Sequence, residues 1–281
     1  MTTGIWWNIN RRILVKKPAA KSMDALTVQA ELKEKIRARR ALLGVFVKTP
    51  ALHIVEVLAR CDLDFIVLDT EHAPFSIDNL DQCLLAARAN NLPALVRVAD
   101  SSSSEILRAL DLGAAGIFVP HITSAAIALS AVAATRYNPG QRGFSASHRA
   151  GGYGSIPIKE YIEASDQSTI IIGQIEDVVA VENIDEIAAV SDLDALFIGP
   201  ADLSVSYGKE DWNDPVIEEA IDKVCNSARQ AGRALGIFQA SVENVRQYRE
   251  KGISFFTIST DQALLTLATK SVCEEFKAAC K

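Results

Sequence analysis

The feature that most constrains the fold is an alternation of short apolar runs with amphipathic segments. The eight runs lie at residues 42–47, 65–69, 94–98, 116–120, 170–176, 195–200, 234–238 and 255–259. They are continuously apolar, which is typical of parallel strands covered on both faces. Between them, segments such as 77–91 and 215–232 carry apolar residues at helical spacing. Eight such units predict a single-domain α/β fold, the (β/α)8 TIM barrel, which usually needs about 250 residues.

A doubly wound open sheet has the same alternation and remains the alternative at this point. No Gly-x-Gly-x-x-Gly segment follows any run, which weakens a dinucleotide-binding interpretation. The first residues are unusual, because "NINRRILVKKPAAK" holds five basic residues and no acidic one. An organellar presequence would contain more serine. We interpret 1–22 as a flexible N-terminal extension, or as the product of a start codon assigned upstream of Met23, and assign 23–281 to the barrel.

The composition points to a small-molecule partner. The chain has 29 Lys and Arg against 35 Asp and Glu, a net charge of −6, which favours neither nucleic acid nor an anionic membrane. No apolar run approaches the ~20 residues that span a bilayer. The five cysteines form no Cys-x-x-Cys motif, which argues against a disulfide framework and a structural zinc site. We therefore expect a cytoplasmic protein with free thiols.

Polar side chains stand where several of the predicted strands end. They are Asp69, Glu71 and His72 after the second run, Arg97 in the third, His121 after the fourth, Gln174 and Glu176 at the end of the fifth, and Asp202 after the sixth. In a (β/α)8 barrel the active site lies at the C-terminal ends of the strands. These groups are therefore predicted to meet at one rim.

Two carboxylates on neighbouring strands indicate a shared cation. Glu176 and Asp202 offer the oxygen ligands that Mg²⁺ or Mn²⁺ prefers, although each could instead cap the helix that follows it. Arg97 lies inside an apolar strand, where a guanidinium is costly unless it meets an anion. That anion is either a substrate or a structural partner, Glu71 or Asp69.

The sequence alone indicates less definite roles for the histidines. His72 follows an acidic segment and is either a functional group or a satisfied rim histidine. His53, His121 and His148 are interpreted as structural or surface residues, although His121 occupies a rim position.

Five segments together resemble the HpcH/HpaI aldolase family, the class II, metal-dependent pyruvate aldolases related to the citrate lyase β-subunit. They are "LDTEHAPF", "ALVRV", "LDLGAAGIFVPHI", "GQIEDVVAVENIDEIAAV" and "DALFIGPADLS". The resemblance covers roughly residues 40–265. It implies a barrel whose C-terminal helix, predicted at 261–280, is exchanged between subunits of a homo-oligomer, a hexamer built as a trimer of dimers. From the sequence alone, packing of this helix on its own barrel remains the alternative.

The resemblance also implies a donor site. Glu176 and Asp202 match the two ligands of a divalent cation, Mg²⁺, Mn²⁺ or Co²⁺, and Gln174 matches a glutamine beside it. Arg97 matches the arginine that contacts the keto oxygen of pyruvate. The backbone N–H groups of Ala201 and Asp202 match those that hold the pyruvate carboxylate, a role also expected for the first N–H groups of a helix.

The remaining implied roles concern proton transfer and the aldehyde. His72 matches the histidine implicated in proton transfer, and Asp111 matches the carboxylate paired with it. The base is either His72 or a metal-bound water that it activates, and we expect Asp69 to share in holding that water. Phe46 stands where the family often has tryptophan, and Asn138 replaces a proline of the family segment before "GQRG". "SDLDALF" also lacks the usual glycine. These departures affect the acceptor and the loops, not the reaction type.

The implied reaction is reversible retro-aldol cleavage of a 4-hydroxy-2-oxo acid to pyruvate and an aldehyde through a metal-stabilised enolate. A Schiff-base mechanism needs a lysine inside the barrel, and the strands offer only Lys48. The alternatives are a related lyase that acts on a CoA thioester or decarboxylates oxaloacetate, and a non-catalytic barrel that acts by assembly. We further expect the long segment 139–167 and Gln239 to join Phe46 and Lys48 around the aldehyde. Its Arg142, His148 and Arg149 suggest a polar or acidic acceptor.

Overall fold

The computed structural model describes residues 25–281, and it contains eight parallel strands that close into one barrel. Each strand pairs with the next, and β1 pairs with β8. The strands are β1 Leu42–Val47, β2 Phe65–Asp69, β3 Ala94–Arg97, β4 Gly116–Val119, β5 Ile170–Ile175, β6 Ala195–Ile198, β7 Ala234–Gln239 and β8 Phe255–Thr260. The predicted (β/α)8 barrel is therefore confirmed, and the open sheet is excluded. The predicted extension 1–22 lies outside the described residues.

Helices cover the outside of the barrel and close its N-terminal end. They are α1 Ala25–Arg37, α2 Leu52–Leu58, α3 Ile77–Ala89, α4 Ser103–Asp111, α5 Ala125–Thr135, α6 Ile158–Ser168, α7 Val178–Glu182, α8 Ile184–Ala188, α9 Pro200–Ser206, α10 Pro215–Gln230, α11 Val245–Glu250 and α12 Asp261–Ala279. A 3-10 turn, Gly152–Gly154, precedes α6.

The strands bury both faces, because side chains along a strand alternate between the barrel interior and the helix layer. In β2, Phe65 and Val67 belong to the interior cluster, whereas Ile66 and Leu68 pack under the helices. The interior holds several phenylalanines, which fit because small residues face them. A Cβ on Gly44 would lie 2.4 Å from the Phe65 ring. This alternation of large and small residues leaves no pore through the barrel.

Helix α1 closes the N-terminal end of the barrel. Its Leu32 and Ile36 join the interior cluster. Between them, the Lys33 ammonium is buried, donates to the Thr169 carbonyl at 2.6 Å and lies 3.3 Å from the Asp194 carboxylate. Helix α1 thus seals the N-terminal end of the barrel interior, and the C-terminal end is open.

Segment 139–167 is partly helical and lies elsewhere than expected. It contains a 3-10 turn and most of α6. It packs on the outer helices, since Arg142 donates to Asp111 of α4 and Arg149 donates to Asp81 of α3. The physical reason is topological: the segment follows helix α5, and connections that follow helices in this fold start from the N-terminal face.

Helix α12 has no packed face within the chain. Only Asp261, its first residue, is buried. Its large apolar side chains are exposed by 39–69%, and they are Leu264, Leu265, Leu267, Val272 and Phe276. Among the described residues, no helix has the length and apolar character needed to cross a membrane.

Candidate active site

A cavity of about 250 Å³ opens at the C-terminal end of the barrel. Its lining comprises Phe46, Lys48, Asp69, His72, Arg97, Gln174, Phe197, Gly199, Pro200, Ala201, Asp202, Phe238 and Thr260. The sequence predicted eight of these as residues of the site or of the aldehyde pocket. Glu176 joins them, because it accepts a short hydrogen bond from the Gln174 side chain.

Strand alternation explains why these polar groups point into the cavity. Asp69 follows the interior residue Val67 by two positions, and Arg97 follows Leu95 in the same way. Lys48 likewise follows Phe46. The interior face of these three strands is apolar within the barrel and becomes polar at the rim. The sequence pattern therefore builds the polar mouth of a barrel that is otherwise filled by apolar side chains.

Arg97 is fixed by Asp69. Its Nε donates to Asp69 Oδ1 at 2.9 Å, and its Nη2 donates to Asp69 Oδ2 at 2.7 Å. The guanidinium carbon stands 4.8 Å from the centre of the Phe46 ring, and Arg97 Nε is also 3.3 Å from Glu71 Oε2. Burial raises the pKa of Asp69, but the hydrogen bonds and charge of Arg97 outweigh that and hold the pKa below its usual value. The structural partners predicted for Arg97 are both present, and the arginine still lines the cavity.

A cluster of acidic groups and one imidazole lies beside Arg97. Ligand atoms of Glu71, His121 and Glu176 lie within 4.8 Å of one another. The His121 backbone N–H donates to Glu176 at 2.9 Å, and its ring Nδ1 is 3.0 Å from Asp177 Oδ2. Burial raises the pKa of Glu176 to about 7, although the His121 backbone N–H and ring oppose this, and the charges of Glu71 and Asp202 add to the rise. Burial likewise raises the pKa of Glu71.

The residues present fit a divalent cation. The charges of Glu71 and Asp202 raise the pKa of Glu176, and a bound cation would favour the ionised form of that carboxyl group. Two buried oxygens, Glu71 Oε2 and Gln174 Oε1, have no hydrogen-bond partner among the described residues. Gly199 leaves room here, because a Cβ on it would lie 3.0 Å from Gln174 Nε2 and 3.1 Å from Glu176 Oε2. Hard cations such as Mg²⁺ take such oxygen ligands.

Helix α9 begins at the cavity. Ala201 and Asp202 lie in its first turn and line the cavity. The first N–H groups of a helix have no partner within the helix. The N–H groups predicted to bind the carboxylate of the substrate therefore lie next to the cluster of side-chain carboxylates.

Asp111 is the predicted site residue that the chain does not bring to the cavity. It ends α4, accepts a hydrogen bond from Arg142 Nη2 at 2.8 Å and lies 3.5 Å from His148 Nε2. His72 instead stands 3.7 Å from Glu71 Oε2, with its side chain half exposed. The expected pairing of His72 with Asp111 is not formed within one chain.

The residues expected around the aldehyde are only partly present. Phe46 and Lys48 line the cavity. Arg142, His148 and Arg149 do not line it, because they hold segment 139–167 against α3 and α4. The expectation that this segment shapes the acceptor pocket of its own chain is wrong.

Sequence reasoning placed Glu71 and His121 at the rim but assigned neither of them a role in the cation or substrate site. The signal for Glu71 was its position two residues after Asp69, which repeats the alternation past the end of β2. His121 was interpreted as structural or surface; its φ of +51° turns its backbone N–H toward Glu176. A local sequence pattern carries no such signal, since few residues other than glycine adopt positive φ.

The fold and the site define a class of protein: a (β/α)8 barrel with a cavity at its C-terminal rim whose residues fit a divalent cation. Residues 42–268 match the family described as HpcH/HpaI aldolase/citrate lyase. The 5-keto-4-deoxy-D-glucarate aldolase of Enterobacter sp. (strain 638) is 32% identical over 249 residues, 88% of this chain and 96% of that protein. The chain belongs to the HpcH/HpaI aldolase/citrate lyase family.

Solved structures agree. A family protein from Burkholderia cenocepacia J2315 superposes with a TM-score of 0.84 at 33% identity, covering 88% of this chain and 99% of that one. A citrate synthase superposes with a TM-score of 0.81 at 26% identity, covering 89% and 99%. The predicted family is confirmed, and so is the prediction of a carbon–carbon lyase of the class II aldolase type.

Proposed function

We propose that this protein cleaves a 4-hydroxy-2-oxo acid reversibly to pyruvate and an aldehyde. The observation that carries the proposal is the buried Arg97, which is held by Asp69 beside the cluster of Glu71, Glu176 and Asp202. A fixed cation next to a cation site can receive the negative charge that develops on a 2-oxo group. The relatives named 5-keto-4-deoxy-D-glucarate aldolase make that compound the first substrate to test.

The residues that would hold the cation are Glu176 and Asp202, with Glu71 and Gln174 beside them. When bound, Mg²⁺, Mn²⁺ or Co²⁺ supplies a Lewis acid for the 2-oxo group. Gln174 holds Glu176 in place through its side-chain amide. The N–H groups of Ala201 and Asp202, at the start of α9, bind the carboxylate of the 2-oxo acid.

Arg97 stabilises the oxygen that gains charge. Its Nε and Nη2 are occupied by Asp69, and Nη1 has no acceptor among the described residues. That remaining N–H group donates to the 2-oxo oxygen as the C3–C4 bond breaks and its electron pair forms the enolate. The cleavage also requires a base for the 4-hydroxyl proton, because the departing fragment becomes an aldehyde.

We assign movement of that proton to His72, which lines the cavity. The enolate then takes a proton at C3 and becomes pyruvate. Asp111 is held far along α4 by Arg142 and His148, so its predicted pairing with His72 requires a second copy of the chain.

The same requirement supports a homo-oligomer. In a single chain, one face of α12 exposes apolar side chains to water. Among them are Leu265, Val272 and Phe276. We propose that α12 packs on a neighbouring copy and that the assembly is a hexamer, a trimer of dimers. The cytoplasmic location stays a prediction.

The donor half of the reaction can be tested without knowing the aldehyde. The purified protein is incubated with pyruvate in D2O, and the methyl signal is followed by proton NMR in metal-free buffer and with Mg²⁺ or Mn²⁺. We expect metal-dependent loss of the signal, abolished in Glu176→Ala and kept in Glu219→Ala, an exposed glutamate on α10. Absence of exchange with every metal would reject pyruvate as donor. Oxaloacetate, a CoA thioester and a non-catalytic role would then be examined.

A further inference from the structure

We propose that a second cavity, at the N-terminal end of the barrel, binds an anion that carries several linked phosphoryl groups. This basic cavity has a volume of about 420 Å³ and opens at the starts of β7 and β8. Its lining includes five basic side chains, Arg39, Arg229, Arg233, Arg249 and Lys251. The proposed cleavage takes place at the opposite end of the barrel and assigns no ligand to this one.

The basic side chains come from three separate connections that lead from a helix to a strand. Arg39 lies between α1 and β1. Arg229 and Arg233 flank the connection from α10 to β7, and Arg249 lies in the last turn of α11, ahead of β8. The strands β7, β8 and β1 are neighbours in the barrel. Compensation of helix dipoles explains a basic residue near each helix end, but it does not explain why all of them line one cavity.

The four arginines of the basic cavity lack carboxylate partners. None of them forms an ion pair with a described residue. Other arginines of this chain do, since Arg37 and Arg108 lie 2.7 and 2.9 Å from carboxylate oxygens of Asp194 and Glu105. The chain as a whole has a net charge of −6, so this concentration of unpaired positive charge is local. Like charges around one cavity repel one another, and a bound anion would relieve that repulsion.

The acidic groups near the basic cavity have cationic partners of their own. The ammonium of Lys251 lies 2.7 Å from Glu218 Oε2 and 2.6 Å from Asp222 Oδ1. Glu250 also lines the cavity, but its Oε1 lies 3.6 Å from Arg246 Nε, and both of these side chains are exposed. The positive charge that the cavity offers to a ligand therefore comes from the four arginines.

Arg233 holds its guanidinium in a fixed orientation. Its Nε donates to the carbonyl of Ala188 at 2.9 Å, and its Nη1 donates to the carbonyls of Ser191 and Leu193 at 2.9 and 3.1 Å. Its Nη2 donates to no described residue. A guanidinium that is anchored along one edge binds an anion with its free N–H groups at a lower cost in side-chain entropy.

Arg39 reaches from the end of α1 to the turn before β7. Its backbone has a φ of +53°, a conformation that few residues other than glycine adopt. Its N–H donates to the Ile36 carbonyl at 2.9 Å, and its Nη2 lies 3.8 Å from the point where a Cβ on Gly232 would stand. The guanidinium of Arg39 therefore lies next to the connection that carries Arg233, so charges from distant parts of the chain meet at one place.

The chemistry of the lining favours a chain of phosphoryl groups. Guanidinium groups bind phosphate oxygens through paired N–H donors. A volume of about 420 Å³ lies in the range that accommodates a whole small molecule rather than a single ion. Among the described residues that line the cavity, none is aromatic, so no side chain there would stack on a nucleobase. The recognised part is therefore the phosphate chain, either of an inorganic oligophosphate or of a nucleotide.

The test measures binding of inorganic triphosphate by isothermal titration calorimetry in metal-free buffer. We expect the wild-type protein to bind triphosphate at least about tenfold more tightly than orthophosphate. The double variant Arg229→Gln/Arg249→Gln should weaken triphosphate binding at least about tenfold, since each lost arginine removes charged hydrogen bonds. Both arginines are exposed, so the fold should persist, which circular dichroism checks. The matched control is Arg60→Gln/Arg88→Gln, which removes two exposed arginines near the ends of α2 and α3, outside the basic cavity.

A titration with ATP distinguishes the two sources of the phosphate chain. Binding of ATP as tightly as triphosphate would support a nucleotide ligand, and binding of triphosphate without ATP would support an inorganic one. The proposal is rejected if triphosphate does not bind, if orthophosphate binds equally well, or if the control variant loses as much affinity as the site variant. Arg97→Lys should still bind triphosphate. Loss of binding in Arg97→Lys, with binding kept in the site variant, would place the anion in the active site instead.

Discussion

Asp69 holds the guanidinium of Arg97 by two parallel hydrogen bonds of 2.9 and 2.7 Å inside the mouth of the barrel. The arginine is 7% exposed and Asp69 is fully buried. This geometry confirms the structural partner of Arg97, one of the two interpretations that the sequence left open, and the substrate contact stays a proposal. The structural ion pair and the anion contact are not alternatives, because the pair fixes one edge of the guanidinium and orients the other.

Arg97→Lys is expected to lower kcat for cleavage by about 10²–10³-fold, the usual cost of removing one preorganised donor. A lysine keeps the charge but cannot bind Asp69 through two parallel N–H groups while donating to a substrate. Steady-state kinetics with circular dichroism would separate this effect from misfolding. Arg108→Lys, an exposed arginine paired with Glu105 on α4, is the control. A kcat within tenfold of wild type would contradict the assigned role of Arg97.

Cation binding can be measured without turnover. We expect titration of Mn²⁺, followed by electron paramagnetic resonance, to give a Kd that rises at least about tenfold in Glu176→Gln and in Asp202→Asn, since affinity follows the charge of the oxygen ligands. Glu219→Gln should bind like wild type. If both site variants retain wild-type affinity, the cation lies elsewhere in the protein.

The strands of this protein could be located from sequence because each one is buried on both faces. Continuous apolar runs matched all eight strands, with ends that differ by at most two residues, as at 195–200 against Ala195–Ile198. The site followed from the same pattern. Once the fold was a barrel, polar residues at the ends of the strands had to meet at one rim, as Asp69, Arg97 and Glu176 do.

What the sequence did not reveal depends on contacts between elements distant along the chain. Asp111 was placed by its motif, yet its partners Arg142 and His148 come from a segment more than 30 positions later. The role of His121 depends on a positive φ. In the sequence, α12 has the pattern of an ordinary amphipathic helix. Only the folded chain shows that the barrel does not cover the apolar face of this helix.

Lys33 gives the stability of the fold a predictable pH dependence. Burial lowers its pKa from 10.5 to about 8, against the opposing attraction of Asp194. Between these two values the unfolded chain binds more protons than the native one, so the free energy of unfolding rises with pH. At 1.36 kcal/mol per pKa unit the gain is about 3 kcal/mol.

Urea unfolding of wild type and Lys33→Met at several pH values from 7.5 to 10.5 would check this. The difference in unfolding free energy between the two proteins isolates Lys33 from other groups that titrate in the same range. We expect the wild-type protein to gain stability relative to Lys33→Met as pH rises. A difference that stays constant with pH would show that Lys33 is not held in the buried position.

Assembly can be tested on the apolar face of α12. Leu265, Val272 and Phe276 recur at spacings of seven and four, so they form one stripe along the helix, and each is more than 60% exposed. If this stripe packs on a neighbouring copy, Leu265→Glu with Phe276→Glu should convert the oligomer to monomers in light scattering coupled to size exclusion. Glutamate favours helix formation, so the helix itself should persist. Lys270→Glu places a glutamate off this stripe and should leave the mass of the oligomer unchanged. The monomeric variant should also lose cleavage activity if Asp111 reaches His72 only from a second copy, whereas a fully active monomer would remove Asp111 from the site.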